Sequence, residues 1–158
     1  MKMSQGEHIN RGERMRFLNS HDAITKQQIL SISDQLGLSF PKDLLDIYEG
    51  SNGGTPEPYV YEDDNLDTVV VEFLPLVSTR QKRTAVESYA NLVRSKKIVP
   101  PNLFPFAMDG GGDYFFIDCN TPIGEVYFFR SDRSSGSSPL VALNLGIRSF
   151  WESMKPED

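Results

Sequence analysis

The stretch from Phe40 to Gly54, FPKDLLDIYEGSNGG, limits what this chain can fold into more than any other part of it. Proline suits the first turn of a helix, where its missing N–H would have had no intrahelical partner. Pro41 therefore predicts a short helix whose apolar face carries Leu44, Leu45 and Tyr48 at helical spacing. Gly50 is expected to close that helix in the left-handed conformation. Asn52, Gly53 and Gly54 then supply a tight reversal where side chains are unwelcome.

On the N-terminal side, residues before about Ser20 are polar and are expected to fray, with a short helix ending near Asn19 as the alternative. From Asp22 to Leu36 the spacing of Ile29, Ile32 and Leu36 predicts a helix, capped by Ser20 or Asp22 and ended by Gly37. The chain divides on this reading into a polar segment, 1–21, and a single domain, 22–158. At 158 residues it is long enough for one domain with a real core.

After Gly54 the pattern changes to extended chain. Tyr59–Tyr61 and the β-branched run Thr68–Leu74 predict neighbouring antiparallel strands across an acidic turn. Ser78 or Thr79 is expected to cap a middle helix with apolar positions Val86, Tyr89, Ala90 and Val93, running to about Lys96. Leu103–Met108 reads as a strand whose Pro105 calls for an edge or an irregular position. The turn Asp109-Gly110-Gly111-Gly112-Asp113 leads into two aromatic strands, Tyr114–Cys119 and Glu125–Arg130, joined by a hairpin loop. Ser134–Pro139 is expected to be a flexible loop. Beyond a brief extended piece, Leu143, Ile147, Phe150, Trp151 and Met154 predict a C-terminal amphipathic helix capped by Asn144. The fold class is therefore α+β: a single antiparallel or mixed sheet flanked by N-terminal, middle and C-terminal helices.

The candidates for chemistry are thin. Asp109 and Asp113 could form a general acid–base pair. The glycines between them do not make a phosphate loop, because a strand follows where a helix N-terminus is needed. Gly110, Gly111, Gly112 and Asp113 read as a structural turn. Asp63, Asn65 and Asp67 begin like a calcium loop, but Thr68 stands where glycine is required and Leu74 where a bidentate glutamate is required. Cys119 could pair with His21 or His8 as nucleophile and base, yet it ends an apolar strand and reads as a buried thiol. A lone cysteine allows no intramolecular disulfide. The start of the chain lacks the apolar run of a signal peptide, and no stretch is long and apolar enough to span a bilayer, so a cytoplasmic location without membrane contact is expected.

Charge says more. The formal net charge is −6, which opposes nucleic-acid binding. Between Asp43 and Thr79 there is no lysine or arginine, while nine carboxylates fall there. One reading has this face neutralised by basic neighbours. The other makes it a docking surface for a basic protein, with Glu57, Glu62, Asp63, Asp64 and Asp67 as its carboxylates and Tyr59 and Tyr61 as aromatic anchors.

Three features recur in order: the proline-led helix with its Asn52-Gly53-Gly54 turn, the run Phe106–Asp118 with its Gly-Asp turn before an aromatic strand, and a C-terminal helix with Phe150. Over roughly residues 22–154 this arrangement resembles the SUKH superfamily, which includes fungal cell-wall-assembly regulators and many bacterial immunity proteins. The resemblance implies an α+β fold and a non-enzymatic domain that binds a protein, in bacteria a toxin and often a nuclease. It implies no cofactor, no metal and no catalytic residue, and its glycine turns carry over as structural positions only. A regulatory scaffold is the alternative function. A small hydrolase or nucleotide-binding enzyme using Asp109 and Asp113 is the rival from a different class.

Overall fold

The structure, a computed structural model, describes residues 15–132 and 138–157. Six strands form one antiparallel meander in the order β3 (Val60–Glu62), β4 (Asp67–Phe73), β5 (Leu103–Asp109), β6 (Tyr114–Asp118), β7 (Glu125–Phe129) and β8 (Leu140–Gly146). A separate two-stranded ribbon pairs β1 (Arg16–Leu18) with β2 (Thr55–Glu57). Helices α1 (Lys26–Leu36), α2 (Lys42–Gly50), α3 (Ala85–Ser88) and α4 (Ile147–Glu152) complete the α+β fold. The chain thus has the expected flanked antiparallel sheet, with the ribbon as an addition.

The first helix starts later than expected. Thr25, not Ser20 or Asp22, caps α1 through a reciprocal capping box with Gln28, and Gly37 ends it at φ +74°. Helix α2 opens after Pro41 as the sequence requires and buries Leu44 and Tyr48. Gly50, however, is its last helical residue and has no positive φ. The left-handed positions are Gly53 and Gly54, and a Cβ on Gly53 would meet the backbone of Pro75 at 2.6–2.7 Å. The turn is therefore a close approach of backbones, and Gly50 is a helical residue.

The middle helix is also displaced. Thr84 caps α3, whereas the Ser78 hydroxyl accepts from the Arg80 amide and is bonded to His21 Nδ1 at 2.6 Å. Arg80, Lys82 and Arg83 therefore lie on a loop before the helix. Helix α3 runs into a π-helical segment, Tyr89–Ser95, in which the Lys96 amide donates to Asn91 O five residues back.

Pro105 does not mark an edge. Strand β5 is interior, and the proline sits where the β5–β6 register shifts between Pro105 and Ala107. At the C-terminus, Asn144 lies inside β8 at φ +62°, and Gly146, without a side-chain cap, precedes α4. The expected apolar set Leu143, Ile147, Phe150, Trp151 and Met154 is nonetheless all buried. Part of the set belongs to a strand, because a residue facing the core from β8 and a helix face behind it satisfy the same spacing. Of the serine-rich loop, Ser134–Ser137 lie outside the described residues, as do His8 and Arg11.

The core is aromatic. Tyr48 stacks on Phe73 at 4.7 Å, and Phe150 packs against Tyr61, Phe106, Phe115 and Trp151 at centroid distances of 4.9–5.5 Å. Residues before Ser20, expected to fray or form a helix, instead contribute β1, whose Phe17 lies 4.7 Å from Phe73 and 5.0 Å from Trp151. Of the segment 1–21 expected to fray, residues 1–14 lie outside the described residues.

Candidate functional site

An antiparallel meander places alternate turns at the same end of the sheet. The β3–β4 turn, the β5–β6 turn and the exit of β7 therefore meet. Hydrogen bonds join them directly: Thr68 Oγ1 donates to Asp109 Oδ2 at 2.8 Å, Gly110 N to Val69 O at 2.9 Å, and Arg130 Nη2 to Asn65 O at 3.2 Å. The two acidic turns, Asp63–Asp67 and Asp109–Asp113, are distant in sequence and neighbours in the fold. Asp132 lies beyond Ser131, whose amide reaches Asp113 Oδ2 at 3.4 Å.

The carboxylates at this end do different work. Asp63 builds the β3–β4 turn, accepting from the amides of Asn65 (2.7 Å) and Leu66 (2.9 Å) and from the Tyr61 hydroxyl. Partial burial opposes its ionisation, but these hydrogen bonds outweigh it and hold its pKa below the ordinary value. Asp109 builds the β5–β6 turn. It is 7% exposed and accepts from the amides of Gly111 and Asp113 as well as from Thr68. A carboxylate so engaged is holding backbone, and this geometry gives the acid–base pair of Asp109 and Asp113 no support. Asp64 and Asp67 are exposed and form no hydrogen bond or ion pair with a described residue.

The rest of the acidic stretch is largely neutralised by cations from outside it. Asp43 pairs with Arg148 at 3.0 Å, Asp46 with Lys42 at 2.7 Å, Glu49 with Lys26 at 3.9 Å and Glu72 with Arg83 at 3.8 Å. Two of the residues expected to face a partner are paired as well, Glu57 with Arg16 at 2.6 Å and Glu62 with Lys155 at 2.5 Å. Neutralisation by basic neighbours is thus met over most of the stretch. The helix α2 acids are neutralised by neighbours, and the uncompensated charge contracts to the sheet end.

Tyr61 is not available as an anchor. It is 2% exposed, with its ring between Phe115 and Phe150, and burial followed by the Asp63 carboxylate pushes its hydroxyl pKa up. Alternation explains this: Tyr61 is the inward residue of a three-residue strand flanked by Val60 and Glu62. Tyr59 is half-buried and donates to Glu157 Oε1. Cys119 is buried, and that burial pushes its thiol pKa up to about 12, the opposite of an activated nucleophile. Its amide bonds to Asn102 O at the far end of the sheet, whereas the His21 ring is bonded to Ser78. Among the described residues no group of His, Cys, Asp or Glu could hold a metal ion, and no helix is long and apolar enough to cross a membrane.

No local pattern in the sequence marks Asp113 and Asp132 as neighbours of Asp64 and Asp67. The signal was present only as topology, in the alternation of turns along a meander. A family model described as SMI1 / KNR4 family (SUKH-1) matches residues 23–147. Comparison with curated proteins and with solved structures returned no match.

Proposed function

The chain belongs to the SMI1 / KNR4 (SUKH-1) family, whose model takes in residues 23–147, and on that premise we propose that it is a non-enzymatic protein-binding domain, a bacterial immunity protein that neutralises a cognate toxin. The family includes bacterial immunity proteins, and protein binding is the coarser property common to them. The observation that carries the reading here is the convergence of Asp64, Asp67, Asp113 and Asp132 at one end of the sheet, with Arg130 held on the Asn65 carbonyl. Asp64, Asp67 and Asp132 are exposed and Asp113 is half-buried, so together they suit a basic surface, and complementary fields speed encounter. A nuclease toxin carries such a surface because it must hold phosphate. The reading goes with a cytoplasmic location.

Coexpression with a candidate toxin domain taken from the neighbouring genes tests it. Protected growth and a purified complex are expected. Asp64→Asn with Asp67→Asn should then slow association and flatten its salt dependence, leaving the fold intact because neither side chain holds backbone. Asp63 is a poor choice for this test, since its loss would open the turn. Absence of both protection and complex would sink the proposal, and an unchanged salt dependence would move the contact away from the acidic end. A substrate screen yielding an activity lost in Asp113→Asn would instead favour the enzyme reading.

A further inference from the structure

We propose a second docking surface, at the opposite end of the sheet, shaped for an acidic segment of a partner protein that carries an apolar side chain. It rests on different residues from the acidic end and stands or falls separately. Where the π-helical segment ends, Val93, Ile98, Val99, Pro100 and Pro101 line a groove of about 490 Å³ flanked by Arg94 and Lys97. Val93 and Val99 are buried and form its floor, Ile98 is half-buried, and the two prolines are exposed on its rim.

The charge at this groove is uncompensated. Lys26, Lys42, Arg83, Arg148, Arg16 and Lys155 all find carboxylates, whereas Arg94, Lys96 and Lys97, like Arg80, Lys82 and Arg130 elsewhere, form no ion pair among the described residues. Cations at a helix C-terminus do complement its dipole, and Lys97 Nζ donates to Arg94 O at 3.2 Å. That pole amounts to only about half an elementary charge, so three cations leave a surplus of about two and a half. In a chain of net charge −6, such a surplus beside apolar side chains is a local inversion of the molecule's field.

The groove is also stiff. Pro100 and Pro101 have fixed φ, Arg94 lies over the Tyr89 ring at 5.2 Å and donates to Leu36 O, and Tyr89 donates to Pro101 O at 2.6 Å. A preformed surface loses little conformational freedom on binding. An extended peptide with acidic residues flanking a leucine places its carboxylates on Arg94 and Lys97, with Lys96 beside them in the chain, and its apolar side chain on the valine floor. Nucleic acid fits worse, because the groove lining presents no aromatic ring for a base to stack on.

The probes are two fluorescent peptides of equal charge, one glutamate-rich with leucines and one with serines in their place. Titration into isotopically labelled protein should shift the amide resonances of Val93, Lys97, Ile98 and Val99 with the leucine peptide. The serine peptide should bind about tenfold more weakly, the difference that loss of one buried apolar side chain makes. Lys96→Ser with Lys97→Asn should weaken the leucine peptide by about tenfold, and asparagine tolerates the φ of +55° at position 97. If that variant fails to fold, the salt dependence of the wild-type titration carries the same information. No shift in the groove, equal binding of both peptides, or tighter binding of a single-stranded oligonucleotide would each overturn the proposal.

Discussion

Asn52 ties three segments together from one buried side chain. Its Nδ2 donates to Asp22 O and Val77 O, and its Oδ1 accepts from the Leu76 amide, all at 2.8–3.0 Å. Gly53 follows at φ +77° because the chain must pass against Pro75. The Asn-Gly-Gly motif is thus a junction between the N-terminal segment, helix α2 and the sheet, and it is more than a reversal. Two substitutions separate its glycines. Gly53→Ala should cost about 3 kcal/mol or more, from the left-handed φ and the overlap with backbone that cannot yield. Gly50→Ala, helical and with open space around its Cβ, should instead gain about 0.5–1 kcal/mol. Urea unfolding midpoints of the two variants measure the contrast, and equal effects would contradict it. The residue types were legible in the sequence here, but which glycine carried the strain was not, since that depends on Pro75, a residue 22 positions later. Gly124 reads from the sequence only as a hairpin-turn residue: a Cβ there would meet Ile117 across the hairpin at 2.6 Å and the distant Pro41 at 3.1 Å.

At the scale of elements, the long periodic signals match the structure, while of the three-residue strands β3 was legible and β1 and β2 were not. Helices α1 and α2 and strands β4 to β7 each carry several apolar residues in one register, so their existence survives errors at the ends. Strand β1 has three residues and one inward side chain, which is too little pattern to read. It exists because its partner β2, held beside β4, offers a free edge and because Phe17 fills a place between Phe73 and Trp151. Its loss should therefore be felt by the whole domain. Phe17→Ala should destabilise by about 2 kcal/mol, less than a fully buried phenylalanine because the ring is half-exposed. A chain beginning at Asp22 should lose more, since it also lacks Ser20, which bonds Gly53 O at 2.8 Å, and the His21–Ser78 contact. Thermal melts of both should fall well below the full chain. A truncated protein as stable as the intact one would return the domain boundary to residue 22.

At the scale of the molecule, the meander turns a charge sequence into a charge axis. Strand β5 begins beside the Pro100–Pro101 groove and ends at the Asp109 turn, so it links the basic end to the acidic end. Seven residues of strand put these ends about 20 Å apart. The acidic run was visible in the sequence, but its segregation was not, because ion pairs with Arg16, Lys42, Arg148 and Lys155 remove much of it and distant turns restore the rest. The separation has a measurable consequence. In salt of about 0.15 M the Debye length is about 8 Å and the ends should act independently; at about 0.01 M it is about 30 Å and each end should feel the other. Replacing Lys96 and Lys97 by serine and asparagine makes the molecule more negative. At low salt that change should speed the encounter of a lysine-rich peptide with the acidic end, by roughly twofold, and at 0.15 M it should do nothing. Stopped-flow association rates at the two ionic strengths give the answer. A rate change that persists at 0.15 M would mean that the peptide touches the basic end itself, and no change at low salt would mean that the two ends do not share one field.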